Sequence, residues 1–314
     1  MGQHVMFEHF KKNMVKVKNK IIRHKRIRNP KLFMTILAKN ESDIIEHQII
    51  YHKAMGVDGF IVTENNSSDN TREIFEKYKK KGWIKEIIYE TSNNHDQKKW
   101  VGRMVNIARE KYKADWVINS DADEFWCCTK GSIKDELANS TSNVIYADIY
   151  NIYPENTLKF YENDKLIAFP DKLPSNIKDK LSPYSIYNKQ IHKVIHRTKG
   201  YLSIEDGNHN VAMMRKSSEK SDNIIIYHYC VRGLEHFKRK MINGGASINN
   251  NEKVSKNAAQ HWKYYYDLFV NQGCDYLIEY EKITGEKYLN DINANGVFRT
   301  ENKVKEFFMA NSND

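Results

Sequence analysis

The stretch from Leu32 to Asp121 alternates short apolar runs with segments of helical periodicity. "LFMTILA" (32–38) precedes "ESDIIEHQIIYHKAMG" (41–56), "GFIVTE" (59–64) precedes "SSDNTREIFEKYKKKG" (67–82), and "WIKEIIYE" (83–90) precedes a helix predicted over about 98–113. "DWVINSD" (115–121) then closes the series. A short apolar run bounded by turn signals suits a strand buried on both faces, and apolar residues recurring every three or four positions suit a helix packed against it. Strands that alternate with helices across short links form a largely parallel sheet covered on both sides. A chain that begins this way has few other folds open to it.

Beyond Gly131 a helix to Ala138 and the strand "VIYADIYNIY" (144–153) extend the same domain. Residues 154–185 hold four of the five prolines and many polar residues, the composition of a long loop or lid. "KQIHKVIHRT" (189–198), a polar turn "EDGNHN" (205–210) and the apolar strand "NIIIYHYC" (223–230) follow. From Leu234 to Phe308 the periodicity is helical, with "HWKYYYDLF" (261–269) placing aromatics in a helical core, and the tail "MANSND" is expected to fray. The organisation expected is a basic arm over 1–30, an α/β domain over 31–232 and a helical region over 233–314.

With 314 residues, 40% of them hydrophobic, the chain can bury a core, and its few prolines and glycines exclude a fibrous or disordered class. A formal charge of +10 calls for an anionic partner. Residues 11–31 carry ten Lys/Arg and no acid, while Met14, Val15, Val17, Ile21 and Ile22 fall loosely on one helical face. This arm is either a basic amphipathic helix on anionic lipid or a solvated extension. Four cysteines without a CxxC support neither a zinc knuckle nor a disulfide framework, and are expected to be reduced and mostly buried. Without an apolar run long enough to span a membrane, or a signal peptide, the protein is expected in the cytoplasm, with peripheral contact to the inner membrane face.

"INSDADEFW" (118–126) ends the fourth strand in three carboxylates, Asp121, Asp123 and Glu124. Ligands of open parallel sheets bind beyond the carboxyl ends of the strands. Hard carboxylate oxygens there suit Mg²⁺ or Mn²⁺, which bridge the phosphates of a nucleotide. The competing structural role is to cap the following turn. An Asp-x-Asp phosphatase of the haloacid dehalogenase type does not fit, since its motif follows the first strand and continues with Thr or Val.

The preceding strands end in "AKNE" (38–41) and "TENNSSDNT" (63–71). Together with Asp-Ala-Asp-Glu-Phe, these segments resemble the nucleotide-sugar glycosyltransferases of the GT-A fold, especially family 2 and its bacterial relatives. The resemblance is clear over about Leu32–Tyr153 and thinner afterwards. It implies a donor site that includes Ala38, Asn40 and Glu41, with Glu64 and Asn65 at the two acidic positions that contact base and ribose. Ser67, Ser68, Asp69 and Thr71 match the Ser-Thr-Asp-x-Thr part of the pattern, and Asn66 takes the glycine position. Asn106 stands fifteen residues before Asp121, as the Asn of Ala-Arg-Asn does in the family. Val105 replaces the Arg, so Arg103 or Lys99 is expected to supply the phosphate contact.

Downstream, "HKVIHRT", "DGNHNV" and "YHYCVRGLEHFKRK" are similar to blocks of the same relatives. The resemblance implies that His228 or His209 joins Asp121 and Asp123 around the metal. Arg232 and Lys240 are expected to neutralise a diphosphate or a phosphorylated acceptor. Glu205, Asp206 and Glu124 are the candidates for a catalytic carboxylate. The expected protein is a Mn²⁺- or Mg²⁺-dependent, inverting glycosyltransferase moving sugar from a nucleotide-sugar donor, with UDP-sugar first in line, to a lipid-linked surface saccharide. The alternatives are an inactive relative that acts as an assembly partner in polysaccharide synthesis, and a nucleic-acid-binding protein. The second lacks any known module or a basic face interleaved with aromatics.

Overall fold

The computed structural model describes residues 22–91, 96–155, 157, 159–249 and 260–311. Most of the basic arm, and with it the amphipathic helix expected there, lies outside the described residues, as do positions 312–314 of the tail. The expected alternation is present as β1 (Leu32–Ala38), α1 (Ile45–Ala54), β2 (Gly59–Glu64), α2 (Thr71–Lys80), β3 (Ile84–Tyr89), α3 (Gln97–Glu110) and β4 (Trp116–Asp121). Then come β5 (Glu124–Cys128), α4 (Ile133–Asn139), β6 (Val144–Asn151), β7 (Lys165–Ile167), α5 (Ser175–Lys178), β8 (Lys193–Arg197), β9 (Tyr201–Ile204), β10 (Val211–Met213) and β11 (Ser218–His228). The remainder is α6 (Leu234–Asn249), α7 (Gln260–Tyr266), α8 (Tyr276–Thr284), α9 (Leu289–Ala294), β12 (Phe298–Thr300) and α10 (Lys303–Ala310).

Eight strands form one sheet in the order β3-β2-β1-β4-β8-β6-β11-β5. The first four are mutually parallel, and β6 and β11 are parallel to each other. β8 runs antiparallel to both β4 and β6, and β5 antiparallel to β11. The carboxyl ends of β1, β2, β4, β6 and β11 therefore share an edge with the amino ends of β5 and β8. That edge collects Asp121, Glu124, Asn151, Lys193 and His228, with His228 in register opposite both Glu124 and Asn151.

The period of two along β1 sends Leu32, Met34 and Ile36 to one face and Phe33 to the other. The first face packs against Ile45 and Ile49 of α1, Phe75 and Tyr78 of α2 and Leu137 of α4. The second packs against Val101, Met104, Val105 and Ala108 of α3 and against Tyr201, Ile204 and Val211 of the β9–β10 ribbon.

The described part of 154–185 is largely loop, as expected, but it is packed into the core. Leu173, Ile177 and Ile167 are buried with Phe237, Met241, Tyr265, Phe269 and Tyr280 of the helical region, and β7 pairs with β12. The prolines open short turns there, Pro170 at a 3₁₀ turn and Pro174 ahead of α5, while the apolar residues between them anchor the segment. This cluster draws on both sides of position 232, and Tyr265 and Phe269 take their expected core places. All four cysteines are free, but only Cys127 is buried and the other three are half-buried, because they lie at strand or loop ends.

Two buried histidines tie the layers together. Across β1, β4 and β8, the Thr35 hydroxyl donates to Asn119 Oδ1 (2.7 Å) and Asn119 Nδ2 donates to His196 Nε2 (2.9 Å), so His196 Nδ1 donates to the Arg197 carbonyl (2.9 Å). His52 Nδ1 donates to the Gln48 carbonyl (2.8 Å), and its Nε2 accepts the Trp126 N–H (2.9 Å), joining α1 to β5. Burial disfavours the charged imidazolium and lowers both pKa values to about 4. Between the ordinary value of 6.5 and that of about 4, the unfolded chain takes up these protons and the folded chain does not. Stability is therefore complete above that window and falls as the pH drops through it. Replacing His196 by Gln is expected to make the loss shallower by up to about 1.4 kcal/mol per pH unit. Denaturant unfolding of both proteins across the window checks this, and parallel profiles would contradict it.

Candidate active site

Asp121-Ala122-Asp123 forms the tight turn between β4 and β5, and its walls are set by what lies underneath. Gln48 of α1 donates to the Asp121 carbonyl and to the Ser120 hydroxyl (both 3.3 Å), and Trp126 Nε1 donates to the same hydroxyl (3.1 Å). Glu124 is fully buried beneath the turn. Its Oε2 accepts the Asp121 N–H (3.1 Å), and its Oε1 faces Lys193 Nζ at 2.7 Å. Burial raises its carboxyl, Lys193 pulls it back, and Asp121 pushes it up again, leaving it at about 7. Glu124, a candidate catalytic carboxylate, is thus buried under the turn, with one oxygen bonded to the Asp121 N–H and the other paired with the Lys193 ammonium.

Asp121 is the open member, its side chain 38% exposed, with Oδ2 2.8 Å from Lys193 Nζ. Asp123 is buried and surrounded by positive or dipolar groups: Lys240 Nζ at 2.6 Å, His228 Nε2 at 3.5 Å and Arg232 Nη1 at 3.9 Å. Burial works against its ionisation, but Lys240, His228 and Arg232 outweigh it and hold the carboxyl well below the usual range. His228 Nδ1 lies 2.8 Å from Asn151 Oδ1, which can only accept, so Nδ1 carries a proton. Its Nε2 faces Asp123 Oδ1 at 3.5 Å.

Arg232 follows β11 and is buried. Nε and Nη2 bind the two oxygens of Asp43 (2.8 and 3.0 Å), Nη2 also reaches Glu41 (2.6 Å), and Nη1 donates to the Tyr229 carbonyl (3.2 Å). Burial lifts the Glu41 carboxyl, and Arg232 only partly reverses that.

The ends of β1 and β2 form one bonded pair of loops. Asn65 N–H donates to the Ala38 carbonyl (3.0 Å), Asn40 N–H to Ser67 Oγ (3.1 Å), and Ser68 N–H to Asn40 Oδ1 (2.7 Å). Glu64 is buried and accepts the Ser67 N–H (2.6 Å). Asp69 accepts from Thr71 (3.0 and 2.6 Å) and from Ser42 (3.0 Å). Burial raises the Asp69 carboxyl, but these bonds prevail and lower it. Asn66 has φ 51°. This left-handed backbone favours Gly or Asn, which fits its place at the glycine position of the pattern.

The structure thus assembles Ala38, Asn40, Glu41, Glu64, Asn65, Asp69, Asp121, Asp123, His228, Arg232 and Lys240 along one edge. It sets others apart. Arg103 and Asn106 are exposed on α3, lining a groove of about 460 Å³ with Lys98, Lys99 and Tyr201, and Arg103 pairs with Glu90 at 3.1 Å. His209 donates to the His192 carbonyl (3.0 Å), while Glu205 and Asp206 are exposed in the turn between β9 and β10. Among the described residues, none of these five bonds to Asp121, Asp123 or Glu124. Lys193, Asn151 and Asp43 also belong to this edge, and nothing in the motif pattern had pointed to them. A lysine opening the buried run "KVIH" (193–196), and an asparagine closing an apolar strand, were the available signals.

Among the described residues, no three His, Cys, Asp or Glu side chains already converge on a metal-sized point. The Lys193 and Lys240 ammonium groups sit against the carboxylates instead.

A mostly parallel sheet flanked by helices, with carboxylates, imidazole and basic groups gathered beyond its strand ends, defines an α/β enzyme of the Rossmann-like GT-A type. The family model of glycosyltransferase family 92 matches residues 34–271. The chain belongs to that family and is a glycosyltransferase.

Solved structures similar to it include the following three. One is Staphylococcus aureus TarS 1–349, at 16% identity over 77% of this chain and 71% of that one, with a TM-score of 0.39. Another is the mannosyltransferase PcManGT from Pyrobaculum calidifontis in complex with GDP-Man and Mn²⁺, at 11% identity over 96% and 86%, with a TM-score of 0.40. The third is glucosyl-3-phosphoglycerate synthase from Mycobacterium tuberculosis with Mn²⁺, UDP and glucosyl-3-phosphoglycerate, at 14% over 54% and 57%, with a TM-score of 0.30. No curated protein matches the chain significantly.

Arg232 joins the loop after β1 to the segment after β11 through two carboxylates. Arg232→Ala is expected to destabilise the fold by about 3–5 kcal/mol, because it strands Glu41 without its cation. Unfolding of Arg232→Ala with and without Glu41→Gln checks this. The second substitution should recover part of the loss, and no recovery would contradict the assignment.

Proposed function

We propose that the acidic edge binds Mn²⁺ or Mg²⁺ together with the diphosphate of a nucleotide sugar, and that the chain passes the sugar to a surface saccharide. The observation that carries this is the facing of His228 Nε2 and Asp123 Oδ1 at 3.5 Å. As a neutral imidazole with Nδ1 protonated, His228 would offer a cation its Nε2 lone pair beside the Asp123 carboxylate, whose hard oxygen suits Mn²⁺ or Mg²⁺. Asp123, His228 and the half-open Asp121 would hold the metal, which when bound stabilises negative charge on the leaving diphosphate.

The other roles belong to the chain's own side chains. Lys240 and Arg232 lie within reach of Asp123 and add positive charge beside the diphosphate. The paired loops with Glu64, Asn65 and Asp69 cradle ribose and base, the left-handed Asn40 and Asn66 shaping their turns. Inversion requires a carboxylate opposite the leaving group to take the acceptor proton. Asp206 and Glu205, exposed between β9 and β10, are the side chains proposed for it. Arg103 and Asn106 line the α3 groove, whose basic wall suits an anionic part of donor or acceptor.

The acceptor proposed is a lipid-linked glycan of the lipopolysaccharide or capsule kind. Support comes from the charge of +10 and from the ten Lys/Arg over 11–31, which suit peripheral contact with an anionic inner membrane face. Among the described residues no helix is long and apolar enough to cross a membrane.

Thermal unfolding with UDP, GDP and CDP, with and without Mn²⁺, in wild type and Asp123→Asn tests the donor site. One nucleotide class is expected to stabilise the wild type only with Mn²⁺, by about 2.7 kcal/mol at a concentration near 100 Kd, and to leave the variant unshifted. No shift with any nucleotide would overturn the donor site and favour an assembly partner.

A further inference from the structure

Lys193 is a charged residue at a position where a strand of this sheet would ordinarily carry an apolar one. It opens β8, whose antiparallel insertion between β4 and β6 brings an amino end to the edge formed otherwise by carboxyl ends. Its side chain is 5% exposed. An ammonium group removed from water this completely requires compensation, and two carboxylates provide it, Asp121 Oδ2 at 2.8 Å and Glu124 Oε1 at 2.7 Å.

The two partners differ. Glu124 is fully buried and needs a cation, whereas Asp121 is 38% exposed and could be solvated by water. Neutralising Glu124 alone would not require Lys193 to reach Asp121. The contacts also form a closed circuit, because Glu124 Oε2 accepts the backbone N–H of Asp121 at 3.1 Å. Asp121 is thereby gripped at its backbone and at one carboxylate oxygen, and among the described residues no hydrogen bond or ion pair holds Oδ1.

We infer that Lys193 is a positioning residue of the transfer site, fixing Asp121 by one oxygen so that the other is presented to the donor, with Glu124 balancing its charge from behind. The inference rests on the donor-site reading and adds to it a residue from a strand that the acidic motif does not contain. Groups that orient a ligating carboxylate typically change metal affinity by about 10- to 100-fold when removed.

The test compares wild type, Lys193→Met, Lys193→Arg and the double variant Lys193→Met/Glu124→Gln. Thermal midpoint and Mn²⁺-dependent affinity for UDP, GDP and CDP are measured in each. Lys193→Met is expected to lose both stability and nucleotide affinity, the latter by about 10- to 100-fold. The double variant removes the buried unpaired carboxylate, so its midpoint should recover while its affinity stays low. Lys193→Arg should restore affinity in part. Recovery of both quantities in the double variant would reduce Lys193 to a counter-ion of Glu124 and overturn the inference alone, as would undiminished affinity in Lys193→Met. Absence of Mn²⁺-dependent nucleotide binding in the wild type would overturn the donor-site reading and this inference with it.

Discussion

Charge neutralisation at one edge of the sheet is the constraint on which the rest of this structure turns. Glu41, Asp43, Asp121, Asp123 and Glu124 meet Arg232, Lys240 and Lys193 there within 2.6–3.9 Å. An isolated buried charge would be too costly to keep, so each side of the set requires the other. The pairings also cross the fold. Arg232 joins the loop after β1 to the segment after β11, Lys193 joins β8 to the β4–β5 turn, and Lys240 brings α6 to Asp123. Charge pairing of this kind adds little net stability over an apolar core, but it admits few alternative arrangements of the same elements.

The same arrangement suits an enzyme that must accept a highly charged donor. Asp123 is held ionised by its neighbours, and Asn151 orients His228 so that Nε2 faces Asp123. The basic side chains already positioned against the carboxylates lie where a diphosphate would arrive in the proposed complex. Fixed groups of this kind need not reorganise as charge develops on the leaving group.

The architecture was legible in the sequence wherever local pattern determines it. The apolar runs marked β1 to β4, the helical spacings marked α1 to α3, and the polar strand ends marked the edge that carries Asp121 and Asp123. What the sequence could not show depends on strand order. Separating His228 from His209 requires the register of β11 against β5 and β6, which puts His228 opposite Glu124, while His209 lies in the turn of the β9–β10 ribbon, a separate two-stranded sheet. Lys193 joins the acidic turn only because β8 is inserted antiparallel beside β4. Glu124 was a candidate catalytic carboxylate, and the reversal into β5 folds it under its own turn. The prolines over 154–185 suggested a long loop or lid, and the apolar residues spaced among them pack that loop into the core.

The most direct measurement is anomalous diffraction at the manganese edge from crystals grown with Mn²⁺ and the nucleotide that stabilises the chain. The account predicts a manganese peak bonded to Asp123 and His228 Nε2 and to an oxygen of the diphosphate, with Lys240 displaced from Asp123. A nucleotide bound elsewhere, or one bound at this edge with Lys240 still paired to Asp123 and no manganese between Asp123 and His228, would contradict it.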